Sequence, residues 1–318
     1  MTVPHIRDYQ GKRIHMIGIG GASMSGLAQM RKEKGYIVSG SDNLETYTTR
    51  HLRDDLHIPV TIGHHAENVH GADLVVYTVA ILPDNPERVE LERLGLPSIE
   101  RATLLGQLME GFDTAIGVCG AHGKTTTTSM VTHILMEADM DPTVMIGGYL
   151  PLLHAGHRVG HGDTIVLESC EYCDSFLNFF PTLAVVLNVE ADHLDYFKDL
   201  ADVEKSFRAF AQMATDCVIA NGDDPHTRKA LEGMDYISFG LGNENRIHAA
   251  NMGPDWRHFD VVCDGKIYCH VDLGVLGHHN ALNALAAAGV AWHLGVAPEA
   301  VSRGLASFHG AGRRMEYK

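Results

Sequence analysis

The chain has 318 residues, of which 45% are hydrophobic, and 25 basic against 40 acidic residues give it a formal net charge of −15. This length predicts two globular domains. The acidic balance, without a basic stripe, excludes a protein that binds nucleic acid through its phosphates. No apolar run reaches the length of a membrane span and residues 1–5 begin no signal peptide, so we expect a cytoplasmic protein that makes no membrane contact.

The cysteines are scattered and mostly embedded in apolar runs, which predicts free thiols in a reducing compartment. Cys170 and Cys173 form a Cys-x-x-Cys pair. A structural zinc site needs a second pair at suitable spacing, and a redox pair needs a thioredoxin-like context. The sequence offers neither, so we predict no metal and no redox role for this pair.

The first predicted strand, residues 13–17, leads into the glycine turn GIGGASMSG at 18–26 and a helix from Leu27. A second strand follows and ends at Asp42. This is the βαβ layout that places a phosphate group at a helix N-terminus. Ser23 replaces the third glycine of G-x-G-x-x-G, so the motif alone leaves open a nicotinamide-dependent oxidoreductase. Further predicted elements of this module are strands at 60–62, 74–78 and 97–99 and a helix beginning at 84–86.

A helix at 103–109 and a break at 110–113 separate the two modules, which we place at residues 1–107 and 108–318. The second module opens with an apolar strand at 114–119 and the loop GAHGKTT at 120–126. Strand, glycine loop and helix (127–135) is the context of a phosphate-binding loop. In such a loop Lys124 reaches the β- and γ-phosphates and Thr125 binds Mg²⁺. The alternative is a glycine turn before an ordinary helix.

Apolar strands at 115–119, 164–167, 184–187 and 217–220 then alternate with helical segments, which predicts a parallel sheet covered on both faces. From residue 236 to 276 the segments shorten, and Asp264-Gly265 is a hairpin signal between two of them. We therefore expect a small antiparallel appendage. An alanine-rich helix at 281–294 and another at 298–308 close the chain.

Several motifs together resemble the Mur ligases. The glycine turn at 18–26, the strand end at 39–42 and the segment at 63–68 resemble their N-terminal domain. The loop at 120–126 and the segments NVEADHLD (188–195) and GHHNALNA (277–284) resemble their central ATPase domain. The resemblance implies an α/β protein with a Rossmann-like UDP-sugar-binding domain followed by a P-loop-type ATPase domain with a parallel sheet.

The resemblance also implies the chemistry, which is ATP-driven amide formation in peptidoglycan precursor synthesis through an acyl phosphate. Gly20-Gly21 is closer to the branch that adds L-alanine to UDP-N-acetylmuramate than to the branch that attaches a preformed tripeptide, which has Cys-Gly-Thr there. Family members continue into a third domain that binds the amino acid. Residues 312–318 resemble the linker to it, so we expect that domain to be absent and this chain to be inactive alone, as a monomer or homodimer.

Site residues follow from the same resemblance. Lys124, Glu168 and His193 are the expected catalytic residues. Thr125, Glu168 and His193 are the expected Mg²⁺ ligands, with Glu171 as the reserve carboxylate. Cys170 and Cys173 stand where the family has acidic residues. The alternatives are a solvated strand end for Glu168 and an ordinary loop histidine for His193. The expected ATP contacts are Gly120, Ala121, His122, Gly123, Lys124, Thr125, Thr126, His279, Asn280, Asn283 and Arg314.

The anion at the first glycine turn is expected to be the UDP pyrophosphate, with Asp42 near the ribose and His64 and Asn68 toward the uridine. The expected UDP-sugar contacts are Gly18, Gly20, Gly21, Ser23, Met24, Ser25, Asp42, His64 and Asn68. Two alternatives remain open. Asn280 is a plausible N-cap of the alanine-rich helix. A third interpretation of the chain is a nucleotide-binding fragment, without turnover, that binds only UDP-sugar or ATP.

Overall fold

The computed structural model describes residues 3–312, which divide into two compact units between Leu108 and Met109. The first unit holds a five-stranded sheet in the order β3-β2-β1-β4-β5, with every pairing parallel. Its strands are β1 (Arg13–Ile17), β2 (Ile37–Asp42), β3 (Val60–Ile62), β4 (Leu74–Tyr77) and β5 (Ser98–Glu100). Its helices are α1 (Ala22–Glu33), α2 (Tyr47–Arg50), α3 (Pro86–Leu94) and α4 (Arg101–Met109).

The second unit is built on a ten-stranded sheet in the order β15-β14-β13-β12-β11-β10-β6-β9-β7-β8. Its strands are β6 (Thr114–Cys119), β7 (Thr143–Leu150), β8 (Ala155–Arg158), β9 (Thr164–Glu168), β10 (Leu183–Val186), β11 (Cys217–Asn221), β12 (Ile237–Gly240), β13 (Ile247–Ala250), β14 (His258–Cys263) and β15 (Lys266–Asp272). Its helices are α5 (Lys124–Glu137), α6 (Leu200–Gln212), α7 (Pro225–Ala230), α8 (His278–His293) and α9 (Pro298–Ser307).

The predicted α/β architecture is confirmed, and the centre of the second sheet is parallel as expected. The antiparallel hairpin of β14 and β15 turns at Asp264-Gly265, as predicted. It pairs through β13 with the edge of the same sheet, so the predicted appendage is continuous with the main core. The opposite edge carries an antiparallel pair, β7 and β8, that the sequence pattern did not predict.

Small residues let the helices of the second unit pack closely. α8 is alanine-rich and buried along most of its length. A Cβ on its Gly289 would lie 2.8 Å from the Cδ1 atom of Ile247, and a Cβ on Gly304 of α9 would lie 2.6 Å from the Cα atom of Ile134 in α5. The contact at Gly289 seats α8 on β13, and the contact at Gly304 packs α9 closely against α5, the helix that follows the loop at 120–126.

No helix among residues 3–312 combines the length and the apolarity needed to cross a bilayer.

Candidate functional site

The loop at 120–126 leaves the buried end of β6 and enters α5 at Lys124. Gly120 has φ +149° and Gly123 has φ +87°, conformations that favour glycine. The side chain of Asn188, which follows β10, holds the loop from the adjacent strand. Its Oδ1 accepts the N–H of His122 at 2.8 Å, and its Nδ2 donates to the carbonyl of His122 at 2.9 Å.

Two N–H groups of the loop are hydrogen-bonded within the protein, whereas those at the start of α5 have no partner within the helix. The N–H groups of Ala121 and His122 both donate to Asn188. Gly123 is the N-cap of α5 and provides no side-chain cap, so helix geometry leaves the first-turn N–H groups without partners within the helix. A helix N-terminus with such open donors attracts anions. The start of α5 is therefore suited to a phosphate.

Lys124 is held by a buried carboxylate. Its Nζ lies 3.0 and 2.9 Å from the two carboxylate oxygens of Glu171 and 3.3 Å from the carbonyl of Ala121. The Glu171 side chain is only 2% exposed and that of Lys124 is 13% exposed. A carboxylate buried this deeply stays ionised only beside a cation or several hydrogen-bond donors, and in this arrangement the loop lysine supplies the charge.

The second expected carboxylate, Glu168 at the end of β9, faces Thr125. The Thr125 hydroxyl donates to its two carboxylate oxygens at 3.1 and 3.0 Å, and the N–H of Gly147 donates to Oε2 at 2.7 Å. Glu168 therefore lies beside the hydroxyl that the loop motif assigns to a metal, and it is not a solvated strand end.

His193 lies with Glu171. Its Nε2 is 3.7 Å from Oε1 of Glu171 and 3.9 Å from Oδ2 of Asp192. One ligand atom from each of these three residues lies within 4.8 Å of the others, a spacing that suits a metal ion. His193 has a left-handed backbone (φ +54°), and its ring centroid is 4.8 Å from that of Tyr172. The sequence analysis held Glu171 in reserve, and its long-range pairing with Lys124 and His193 was not visible in the local pattern.

Cys170 and Cys173 flank Glu171 as free thiols. Burial raises the pKa of Cys170, which keeps its thiol protonated at neutral pH. Neither cysteine belongs to the group formed by Glu171, Asp192 and His193.

A cavity of about 590 Å³ adjoins the loop. His122, Gly123 and Thr126 line one side, and His279, Asn280 and Asn283 from the first turns of α8 line the other. A Cβ on Gly123 would lie 2.5 Å from Oδ1 of Asn283, so the loop and α8 are in close contact. These helix residues and the phosphate loop thus share one cavity.

The suggested N-cap role of Asn280 is wrong. α8 begins three residues earlier than the alanine-rich run, at His278, and its N-cap is Gly277 (φ +105°). Asn280 lies inside the first turn and donates from Nδ2 to the carbonyl of Leu276 at 2.7 Å. Arg314, the remaining expected ATP contact, lies outside the described residues.

In the first unit the glycine turn rests on the end of β2. Gly18 (φ +79°) and Ile19 donate their N–H groups to the carbonyl of Ser41 at 2.8 and 3.0 Å. Gly20 donates its N–H to Oδ2 of Asp42 at 2.8 Å. The N–H groups of these turn residues are therefore used within the protein, and the open donors are those of the first turn of α1.

The start of α1 carries positive charge. Gly21 caps the helix without a side chain, and Nη1 of Arg101 donates to the Ser23 hydroxyl at 3.2 Å. Arg101 was not among the expected residues, because it follows β5 at a distance in sequence. Met24 is 2% exposed and the Ser25 hydroxyl donates to the carbonyl of Ala22, so these two residues face inward and offer a ligand only their backbone.

The remaining expected residues, His64 and Asn68, converge on a carboxylate that the sequence analysis missed. Nδ1 of His64 lies 2.9 Å from Oε2 of Glu87, and Nδ2 of Asn68 donates to Oε1 of the same residue. The local signal at Glu87 was that of a helix start, and α3 does begin at Pro86 with Asn85 as its N-cap.

Comparison with known proteins identifies relatives of both units. Residues 13–113 match the model "Mur ligase family, catalytic domain", and residues 118–291 match "Mur ligase middle domain". The UDP-N-acetylmuramate–L-alanine ligase of Alkaliphilus metalliredigens is 40% identical over 99% of this chain and 70% of its own length. The enzyme of the same name from Caldanaerobacter subterraneus is 42% identical over 96% of this chain and 68% of its own length.

Solved structures show the same relationship. The UDP-N-acetylmuramate:L-alanyl-γ-D-glutamyl-meso-diaminopimelate ligase of Neisseria meningitidis superposes with a TM-score of 0.86 at 29% identity, covering 95% of this chain and 99% of that one. The UDP-N-acetylmuramate–alanine ligase of Thermotoga maritima has a TM-score of 0.82 at 31% identity and covers 94% of this chain and 69% of its own.

Proposed function

The chain belongs to the Mur ligase family, whose members are ATP-dependent ligases that form amide bonds, and we propose that its two units serve the reaction that joins L-alanine to the lactoyl carboxylate of UDP-N-acetylmuramate. The observation that carries this proposal is the arrangement of Lys124, Glu171 and His193 at the phosphate-binding end of α5. The identity of 40–42% to ligases with this substrate in their names supports the choice of substrate.

We assign the UDP-sugar to the first unit and ATP to the second. The start of α1, with Arg101 beside Ser23, suits the pyrophosphate of the UDP-sugar. The cavity between the phosphate loop and α8 suits the adenosine, with His279, Asn280 and Asn283 as its contacts.

The first chemical step brings a carboxylate onto a triphosphate. An oxygen of the lactoyl carboxylate attacks the γ-phosphorus, the bond to the β-bridging oxygen breaks, and an acyl phosphate and ADP form. Two anions meet in this step, so the protein must neutralise charge and hold both groups in line. Lys124 and the first-turn N–H groups of α5 supply fixed positive charge for this purpose.

In the second step the amine of L-alanine attacks the acyl carbon. A C–N bond forms, the C–O bond to phosphate breaks, and the departing phosphate takes up the proton that the nitrogen loses. The acyl phosphate must be kept from water until the amine arrives, because hydrolysis would destroy it.

The residues at the site fit Mg²⁺. When Lys124 turns from Glu171 toward a phosphate, the buried Glu171 carboxylate is left without its cation, and a hard divalent ion satisfies such an oxygen donor. Glu171, Asp192 and His193 would hold one ion, and Thr125 with Glu168 would hold another. Bound Mg²⁺ screens the charge of the phosphate oxygens and orients them.

The other interpretations of the sequence are less well supported. The tripeptide ligase of N. meningitidis has the same fold but is 29% identical, below the 40–42% of the alanine ligases. A nicotinamide-dependent oxidoreductase would use only the first glycine turn, and both units match Mur ligase models.

Calorimetry of the chain with UDP-N-acetylmuramate, ATP·Mg²⁺ and NAD⁺ tests the proposal. We expect saturable binding of the first two, each independent of NAD⁺, and no binding of NAD⁺. Tight NAD⁺ binding without UDP-sugar binding would overturn the assignment of the first unit. Absence of ATP binding would overturn that of the second.

A further inference from the structure

Glu87 is a carboxylate with no solvent exposure in the first turn of α3. Its Oε2 accepts from the Ser41 hydroxyl at 2.6 Å and lies 2.9 Å from Nδ1 of His64. Its Oε1 accepts from Nδ2 of Asn68 and lies 3.7 Å from Nε2 of His15, which is itself buried. Donors from β1, from the end of β2 and from the segment after β3 therefore meet at this single carboxylate.

The carboxylate stays charged although it is buried. Burial alone would raise the pKa of Glu87, but the nearby His15 and the hydrogen bonds from Ser41, Asn68 and His64 outweigh that effect and lower the pKa to about 2. At neutral pH the group is thus a fixed anion that only accepts hydrogen bonds. Each donor around it is consequently oriented toward it.

Ser41 connects this anion to the glycine turn. The hydroxyl of Ser41 donates to Glu87, while its carbonyl accepts the N–H groups of Gly18 and Ile19. The next residue, Asp42, accepts the N–H of Gly20. Contact between the two segments is tight, because a Cβ on Gly20 would lie 2.8 Å from Oδ2 of Asp42. A shift of Ser41 would therefore move the turn and the start of α1 behind it.

We propose that Glu87 is a positioning residue for the phosphate site of the first unit, acting through Ser41 on the glycine turn. In this arrangement His64 and Asn68 act through Glu87 and do not contact the uridine. The inference depends on the proposed function only for the identity of the ligand, which we take to be the UDP-sugar. The positioning of the turn is a property of the protein itself and is measured without ligand.

The test compares Glu87→Gln with Glu90→Gln in the same chain. The first substitution replaces one acceptor oxygen of Glu87 by an NH₂ group, which cannot accept from Ser41 or Asn68. Glu90 lies one turn further along α3 and pairs with His70 and Arg93, so its substitution is a matched change of charge away from Ser41. Amide hydrogen exchange measures the turn, and calorimetry measures UDP-N-acetylmuramate binding.

For Glu87→Gln we expect faster exchange at Gly18 and Ile19 and about tenfold weaker UDP-sugar binding, since hydrogen bonds to charged groups contribute on this scale. ATP·Mg²⁺ affinity stays unchanged. Glu90→Gln leaves both readouts of the first unit at their original values. Unchanged exchange and affinity in Glu87→Gln, or equal losses in the two variants, would overturn the positioning role.

Ser41→Ala provides a second route if Glu87→Gln does not fold. It removes only the hydroxyl that links the carboxylate to β2, and it should reproduce the faster exchange at Gly18 and Ile19. Where Glu87→Gln does fold, its effect and that of Ser41→Ala should not add in the double variant, because both changes break one connection. The proposal is contradicted if the two effects on hydrogen exchange add fully, or if the glycine turn of the Ser41→Ala variant exchanges at the native rate. If the unaltered chain does not bind UDP-sugar, the proposed function fails, while the exchange data still decide the role of Glu87.

Discussion

Lys124 pairs with the Glu171 carboxylate, and it has a second possible partner in the phosphates of ATP. We propose that the lysine contacts the phosphates of ATP, whereas in the structure it neutralises the buried Glu171 carboxylate. Breaking such a pair costs free energy unless both charges find new partners. A phosphate for Lys124 and a divalent cation for Glu171 supply these together. We therefore expect nucleotide and metal to bind cooperatively at this loop.

Replacing Lys124 by alanine should weaken ATP·Mg²⁺ binding by about 100-fold, because a charge-assisted contact to phosphate is lost and Glu171 is left uncompensated. UDP-N-acetylmuramate binding, which we assign to the first unit, should not change. Lys205→Ala, at an exposed position of α6, is the control for a lost lysine charge. Native ATP affinity in a folded Lys124→Ala protein would remove the phosphate-loop assignment.

Glu171→Gln separates the two candidate metal carboxylates. Without the charge at Glu171, Lys124 is free to meet the phosphates, so ATP binding in the presence of EDTA should be as strong as in the original chain or stronger. The gain in affinity on adding Mg²⁺ should shrink by about tenfold. Glu168→Gln keeps the Lys124–Glu171 pair, so ATP binding in the presence of EDTA should stay as weak as in the original chain. The reverse pattern would make Glu168 the carboxylate that competes for the lysine.

At the scale of elements, the phosphate loop is fixed by its neighbours as much as by its own glycines. Asn188 holds its middle from the end of β10, and Asn283 of α8 leaves no room for a side chain at Gly123. We therefore expect a change in α8 to reach the start of α5 through this loop.

Gly123→Ala tests this coupling, with Gly265→Ala as its control. Both glycines have positive φ (+87° and +75°), so each alanine should cost about 1–2 kcal/mol of unfolding free energy through backbone strain. Only the Cβ at 123 meets a neighbour, whereas at 265 nothing lies within 4 Å. We expect thermal denaturation to show a loss of stability in both variants and calorimetry to show a loss of ATP binding in Gly123→Ala alone. Equal ATP affinity in the two variants would show that the contact with Asn283 does not matter.

The elements also show what a sequence pattern predicts and where it stops. Buried parallel strands such as β6 and the glycine loop after it carry strong local signals, and their positions were predicted closely. β7 and β8 form an edge pair with a register shift, and irregular pairing leaves little periodicity to detect. The pairing of Glu171, the reserve carboxylate, with Lys124 was not predicted, and Glu87 was missed entirely, because their partners Lys124 and Ser41 are 47 and 46 residues away. Such contacts depend on tertiary packing, which the order of residues does not display.

For the whole molecule, the two units contain different acid-sensitive groups. In the second unit, burial lowers the pKa of His133 to about 4. In the first, the hydrogen bonds around Glu87 lower its pKa to about 2 against the effect of burial. Both tryptophans, Trp256 and Trp292, belong to the second unit. Tryptophan emission thus reports on that unit alone, while far-ultraviolet circular dichroism reports on both.

The second unit should lose stability at a higher pH than the Glu87 network does. Between pH 6.5 and 4 a histidine in the unfolded chain, with an ordinary pKa near 6.5, is protonated, whereas His133 in the folded protein stays neutral. The folded state therefore loses stability, at most about 3 kcal/mol, as the pH falls from 6.5 to 4. The stabilisation from ionised Glu87 is present above about pH 4.5 and is lost only between that pH and about 2. Urea denaturation at a series of pH values should therefore show the tryptophan-monitored midpoint falling first.

The variant His133→Asn tests whether His133 causes this fall. Asparagine keeps a donor toward the Ser307 hydroxyl, which His133 contacts at 2.8 Å. The midpoint of this variant should change less between pH 6.5 and 4, whereas the control His154→Asn, at an exposed position, should behave like the original chain. A tryptophan-monitored midpoint that stays constant from pH 6.5 to 4 would show that buried His133 does not govern the acid response of the second unit.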